Sequence, residues 1–506
     1  MRTLLLATVI VGVSCAQETP RMFQLILPDF SEKPFDQTAS TIEIPARPIR
    51  NLQVQVLETA TKNIGYGRIV VRINGKGFGN AFDRKANLNG ILLVMNSQTI
   101  GLRPDQVFDP FENAIEVVAE DRKGRKYYHN WVIRANEAAP NSYFTYTTGL
   151  SPDDPTGIPP DLRLTEPMQP ISGAARVSLK GTFGSAKPGA ILKINGATVA
   201  TASQATASFE HALAVSPAMK EVTVEVTDGK GNRRAAVIPV IRPATGPKPK
   251  FAGNRYAVVV GVSDFGKSKE SPKALPSAAA DAGEVARVLE ANGFPKANIR
   301  LIRDEQATAE QIRIAFSDFA AKAGPNDFVA IYVATYGLHD PFTPDHLYLA
   351  AHGTQLKQVD VSSVSIEELA TRLMKSVRCN NTLMVFDVGH KLPQGDIRFP
   401  DKNLVNSHLI RLFADEDGRA VLVSGSADES SVTHQSAGGT TRSIFSEAVA
   451  SAFEGNAADL NRDRVLTSEE LIRYVTEKVK QQTSGAQNPR FSLGKSPIVA
   501  PLAILP

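Results

Sequence analysis

The hydrophobic pattern of this chain changes period once, at Asn254, and the change dictates two different kinds of core. Before it, apolar residues recur at every second position in short runs such as "NLQVQVLE". That alternation builds sheets with one buried face. After it, near-continuous apolar runs ("RYAVVVGVSD", "NIRLIRD", "DFVAIYVAT", "TLMVFDV", "RAVLVSGS") take turns with segments of helical spacing ("SAAADAGEVARVLEANGF", "ATAEQIRIAFSDFAAKAG", "SIEELATRLMKS"). Ser277 is placed as an N-cap and Gly293 as a stop for the first helix. Thr308 with Gln311, and Ser365 with Glu368, have capping-box spacing for the other two. Strands alternating with helices predict a mainly parallel sheet with helices on both faces, and sites in such sheets lie beyond the carboxyl ends of the strands. The 506 residues exceed one core and suit about three domains.

The first half reads as two similar units. Residues 47–137 hold "GRIVVRINGKGFG", "GILLVMNSQTIG" and a hairpin turning at Lys123-Gly124; residues 164–243 hold "ARVSLKGTFG", "AILKINGATV" and "KEVTVEVTDGKGNRRAAVIPV". Asn113–Lys126 and Lys220–Arg233 match in kind: an alternating strand, an acidic residue, then a Lys-Gly turn. This internal repeat predicts two all-β sandwiches, and they resemble bacterial immunoglobulin-like domains. Residues 138–163, rich in Pro, Asp and Thr, and residues 244–253, with their prolines, read as linkers.

The opening "MRTLLLATVIVGVSCAQE" has Arg2, an apolar run Leu4–Val13 and the small residues Ser14-Cys15-Ala16, the order of a cleaved export signal. The run is well short of the ~20 residues a membrane span needs. The expectation is a signal peptide at 1–16 and a secreted or periplasmic protein without a transmembrane helix. The rival reading makes Cys15 a lipidated N-terminus. Cleavage after Ala16 leaves Cys379 as the sole cysteine, so no internal disulfide is expected. A net charge of +4 gives no case for a nucleic-acid partner.

Residues 254–506 resemble a caspase-like peptidase domain of the kind found in bacterial caspase homologues and metacaspases. The stretches that carry the likeness are "RYAVVVGVSDF", "LPSAAADAGEVARVLEANGF", "NIRLIRDEQAT", "AGPNDFVAIYVATYG", "LMVFDVGHK" and "RSIFSEAVASAF", in the family's order. The resemblance implies a catalytic His in a Ser-Gly-His-Gly turn and a catalytic Cys in an Asp-Ala-Cys-His-Ser-Gly turn, the thiolate attacking and the imidazole shuttling the proton. Here those turns read Ala334-Thr335-Tyr336-Gly337 and Asp387-Val388-Gly389-His390-Lys391-Leu392. Tyr336 stands at the His position and Gly389 at the Cys position. Glycine has no nucleophile, and a phenol with a pKa of about 10 is a poor base near neutrality. Tyr336 then reads as a plug in the cleft with its hydroxyl hydrogen-bonded. Cys379 precedes its strand and lies at the opposite end of the sheet.

Four neighbours remain candidates for binding. Asp387 matches a carboxylate that lines the primary specificity pocket in Arg/Lys-specific relatives; it is either a receptor for a basic side chain or a satisfied turn residue. His390 matches a family His that is not the general base, and its plain reading is structural. Thr335 and His339 form the one conceivable displaced nucleophile–base pair.

Residues 459–470, "DLNRDRVLTSEE", place Asp459, Asn461, Asp463, the Val465 carbonyl and Glu470 at the oxygen spacing of an EF-hand loop. Arg464 occupies the position that calls for glycine. Thr467 and Glu470 also make a capping box, so Glu470 is either a calcium ligand or a helix cap. No cofactor is required by this reading; weak calcium binding is the one open case. The function expected is peptide or protein binding by an exported, catalytically inactive pseudo-peptidase. The alternatives are proteolysis by a displaced nucleophile and, third, adhesion or cell-surface binding through the immunoglobulin-like modules.

Overall fold

The computed structural model describes residues 22–31, 33–34, 41–44, 49–57, 68–78, 82–95, 107–108, 112–120, 124, 126–135, 144–154, 158–168, 170–172, 175–241, 251, 253–343, 346–373, 377–392, 404–413, 416–427, 429–436, 438–494, 498 and 500–505. Residues 1–16, read above as a signal peptide with Cys15, and most of the stretch 244–253 lie outside them.

The N-terminal half is built from mainly antiparallel sheets. In the first unit, a four-stranded sheet (Phe23–Ile26, Gln53–Leu57, Gly90–Met95, Phe82–Asn87) and a five-stranded sheet containing Glu112–Glu120 and Lys126–Ala135 share one core. Apolar residues of both, among them Val54, Ile91, Val71, Ile115 and Trp131, interleave there. The unit starts earlier than residue 47: Phe23–Ile26 pairs with Gln53–Leu57, and Thr41–Ile44 runs parallel to Lys126–Ala135. The second unit begins inside the stretch read as a linker. Thr145–Gly149 pairs with Arg233–Ile241, and Asp161–Glu166 pairs with Arg176–Gly184. Polar composition masked these strands because each is an outer strand, buried only in part. The predicted hairpins are present, with Gly124 and Gly231 at positive φ in their turns.

The second half is α/β. A six-stranded sheet has the order β2-β1-β3-β5-β6-β9, with β1 Arg255–Gly261, β2 Ile299–Arg303, β3 Phe328–Ala334, β5 Thr382–Asp387, β6 Arg419–Val423 and β9 Arg490–Ser492. All neighbours are parallel except β6–β9. Further strands are β4 Gly337–His339, β7 Thr433–Gln435 and β8 Thr441–Ser443; the helices used below are α1 Ala278–Ala291, α2 Ala309–Lys322, α3 Val405–Phe413, α4 Ile444–Ala452 and α5 Ser468–Gln482. The wholly buried β3 and β5 explain their unbroken apolar runs. Ser277 does not cap α1: its side chain makes no cap hydrogen bond, and Ser263 Oγ instead accepts from the Ala279 amide at 2.9 Å. Gly293 (φ 88°), Thr308, Ser365 and the Thr467–Glu470 box end or start their helices as expected. Among the described residues no helix is long and apolar enough to cross a membrane.

The first β-unit packs on this domain. Its Ala114 and Val132 belong to the domain's own hydrophobic core. Glu116 Oε2 lies 2.8 Å from His408 Nε2 of α3, with both side chains buried, and Tyr128 Oη donates to Glu116 Oε1 at 3.1 Å. Gly75 is needed at this junction: a β-carbon there would stand 2.8 Å from the His408 ring.

Candidate functional site

Two parallel neighbours, β3 and β5, end side by side and turn together. The turn amides continue their pairing: Thr335 N donates to Asp387 O (3.2 Å) and Gly337 N to Val388 O (3.1 Å). Tyr336 and Gly389 are thereby paired as an isolated antiparallel bridge. The structure so brings the two substituted positions together at the carboxyl end of the sheet.

Gly389 leaves a space that other side chains fill. A β-carbon on it would stand 3.0 Å from Ser424 Oγ, 3.1 Å from Asn406 Nδ2 and 3.3 Å from Ser431 Oγ. These come from the end of β6, the first turn of α3 and the loop after β6. A tetrahedral oxyanion needs backbone donors aimed at an open position. Here the Gly389 amide donates to Ser424 Oγ (3.2 Å) and the Gly337 amide to Val388 O. Both turn amides are engaged.

Tyr336 is buried, its ring 5.4 Å from Phe265 and edge-on to His390 at 6.4 Å. Burial pushes the phenol further up from its ordinary value, away from any role as a base. The expected hydrogen bond from its hydroxyl is not made among the described residues; the ring is held by aromatic packing instead.

Asp387 is fully buried. Ser431 Oγ donates to Oδ1 and Ser446 Oγ to Oδ2, each at 2.8 Å, and His390 Nε2 lies 3.2 Å from Oδ1 without hydrogen-bond alignment. Burial alone would raise this carboxyl; the His390 charge and the serine hydroxyls outweigh it and hold the group well below the usual carboxylate range. Thr335 is buried and its hydroxyl donates to Ala350 O at 2.9 Å, while His339 Nε2 accepts from the Leu404 amide at 3.4 Å and its ring meets Tyr128 of the first β-unit. Cys379 is buried before the other end of β5, so the whole six-residue strand, about 20 Å, separates it from the site. Burial raises its thiol.

A second carboxylate, missed in the sequence, lies behind the first. Asp281 of α1 is fully buried, accepting from Arg442 Nε (2.6 Å) and the Ser443 amide (3.1 Å). Burial pushes it up to about 7, the nearby Asp387 charge adds to the rise, and Arg442 opposes it. Tyr332 Oη and Ser446 Oγ, 2.6 Å apart, link the region of Asp281 to Asp387. The available signal was a charge inside the apolar stripe of α1, between Ala278 and Val285.

In the 459–470 loop the candidate ligands turn to the loop's own amides. Asp459 accepts from Asp463 N and Arg464 N, Asp463 Oδ1 from Val465 N, and Glu470 Oε1 from Leu460 N and Asn461 N. The other Glu470 oxygen completes the capping box with Thr467. Asn461 Nδ2 donates to Asp463 Oδ2. Arg464 makes the turn at φ 65°, in the region that favours glycine. Among the described residues no group of three or more His, Cys, Asp or Glu is arranged to hold a metal ion.

The mainly parallel six-stranded sheet, with two central strands that end in paired turns, is consistent with a caspase fold. Residues 254–495 match the family model for the caspase domain. No curated protein matches the chain. Among solved structures, protein GSU0716 of Geobacter sulfurreducens aligns at 14% identity over 50% of this chain and 100% of its own, with a TM-score of 0.34. The SGBP-B protein of the Bacteroides ovatus mixed-linkage glucan utilization locus aligns at 12% identity over 47% of this chain and 51% of its own, TM-score 0.15. Latent dimeric PorU of Porphyromonas gingivalis aligns at 13% over 40% and 19%, TM-score 0.14.

Proposed function

We propose that this chain is an exported pseudo-peptidase: a caspase domain without cysteine-peptidase chemistry, kept for binding a peptide or protein ligand. The observation that carries the reading is the Tyr336–Gly389 pair, with Ser424, Asn406 and Ser431 filling the space of the missing side chain. A nucleophile would need that space, and its oxyanion would need the two engaged amides. The buried carboxylates Asp387 and Asp281 favour a ligand with a basic side chain. Signal-directed export, with Cys15 lipidation as the other route, remains part of the proposal. So does calcium as a weak ligand of Asp459–Glu470 at most.

The test is turnover. The purified mature protein should leave Arg-, Lys- and Asp-directed peptide reporters intact, with and without calcium. Turnover lost on Tyr336→Phe or Gly389→Ala would refute the proposal. Turnover lost only on Thr335→Ala would establish the displaced-nucleophile alternative.

A further inference from the structure

The second β-unit ends one of its sheets on an unguarded strand. This three-stranded sheet has the order Asp161–Glu166, Arg176–Gly184, Thr206–Ala214, and among the described residues no strand pairs with the far side of Thr206–Ala214. The strand is nine residues long, where the other outer strands of the described sheets have two to six. A long outer strand with few charges is a template for another strand. Here the sequence TASFEHALA carries one acid, Glu210, which pairs with Lys180 at 3.3 Å. By contrast, the outer strand Phe82–Asn87 of the first unit has Asp83, Arg84 and Lys85 in a row.

The direction of the free backbone groups follows from the ladder. Ser185 N donates to Ala205 O and Val215 N to Ala175 O, each at 2.9 Å, just beyond its two ends. Hydrogen-bonded pairs alternate along an antiparallel ladder. Ala207, Phe209, His211 and Leu213 therefore bond to Arg176–Gly184, while Thr206, Ser208, Glu210, Ala212 and Ala214 turn their amides and carbonyls outward. Burial of the core face is also unfinished at this edge. Leu179 and Phe183 of the central strand are wholly buried, but His211 and Leu213 are only half-buried.

We propose that Thr206–Ala214 is where two copies of this chain associate, the strand pairing antiparallel with itself about a two-fold axis at His211. Two three-stranded sheets then continue as one of six strands. The proposal does not depend on the reading of the cleft. Charge and burial select the register. Centred on His211, Glu210 stands opposite the second copy's Ala212 and Ser208 opposite its Ala214. On the core face the two imidazoles meet, and Phe209 lies against the second copy's Leu213, covering a side chain that is half-buried in one copy alone. Centred on Glu210, two acids would stand directly opposite each other, which destabilises a strand pair. Centred on Phe209, Leu213 would fall beyond the end of the paired strand. The same patch serves both copies, so the assembly closes at two.

The experiment uses the full mature chain. Sedimentation should show a monomer–dimer equilibrium that rises with concentration. Hydrogen exchange of Ser208, Glu210, Ala212 and Ala214 should slow in step with the dimer. Ala212→Pro removes an outward amide and leaves the ladder to Arg176–Gly184 whole, as a proline on an outer strand does. It should weaken the dimer about 10-fold or more, since the two-fold axis counts each lost bond twice. A second pair of variants does not rely on proline. Mild oxidation should cross-link His211→Cys to itself and leave Ser208→Cys uncross-linked, with the wild type, whose Cys379 is buried, as control. A chain that stays monomeric at its highest soluble concentration overturns the proposal. So does a dimer indifferent to Ala212→Pro, or one that cross-links through Ser208→Cys and not His211→Cys. Slow exchange of those four amides in the monomer would mean that another segment of the same chain covers the edge, and overturns it too.

Discussion

Asn406 Nδ2 points at Gly389: it stands 3.1 Å from where a β-carbon on that glycine would be, and it donates to Gly425 O at 2.8 Å. The helix that follows, α3, thus closes the cleft with its first turn. Two residues on, it meets the first β-unit through His408.

Restoring the lost pair should fail for a steric reason. Gly389→Cys must displace Ser424, Asn406 or Ser431 by a few tenths of an ångström. Overpacking of this kind costs about 1–3 kcal/mol. The double variant Tyr336→His with Gly389→Cys should melt lower than wild type and stay inert toward peptide reporters. Adding Lys391→Ser and Leu392→Gly should not rescue it. Measurable turnover by the double variant would show that the cleft had only lost its chemistry.

Asp281 should make stability fall with rising pH over one window. Its folded carboxyl is pushed up to about 7, against an ordinary value of 3.8. Between those values the folded state holds a proton that the unfolded state has released, so the group's contribution is fullest below about 4 and declines as pH rises toward 7. Urea unfolding of wild type and Asp281→Asn across that range should differ in slope, with the variant flatter.

The junction between the β-unit and the α/β domain should depend on both of its charged members. Glu116 is fully buried; burial would raise its carboxyl, but the charge and hydrogen bond of His408 prevail and lower it. A lowered carboxyl stabilises above its unfolded value and loses that contribution as pH falls through the folded one. His408→Ala leaves the carboxylate buried without its partner, a change that costs about 3–5 kcal/mol when a buried pair is broken. Chemical denaturation should show the loss, and Glu116→Gln with His408→Ala should cost less than the sum of the single changes.

Calcium should bind Asp459–Glu470 weakly or not at all. The loop's carboxylates accept from its own amides, and Arg464 adds a positive charge at the turn. Calorimetry should give little heat for the wild type and more for Arg464→Gly. Tight wild-type binding abolished by Glu470→Gln would contradict this.

The strand–helix alternation after Asn254 was legible because buried parallel strands and amphipathic helices leave distinct periods. The two degenerate positions were legible because their turns interrupt apolar runs at fixed places. What surrounds them was not. Ser424, Asn406 and Ser431 are ordinary polar residues in sequence, and only the fold brings their side chains to one glycine. The strands Thr145–Gly149 and Asp161–Glu166 were hidden for a related reason: an outer strand needs backbone partners more than an apolar face. Docking of Glu116 against His408 joins residues 292 apart, and no local pattern encodes it.

The filling of the space at Gly389 also works as a ratchet. The three side chains come from three separate segments, so no single replacement reopens the position: a new cysteine meets a crowded wall, and a cleared wall without the cysteine gains nothing. On the proposed reading, a chain folded this way regains peptidase chemistry only through several replacements made together.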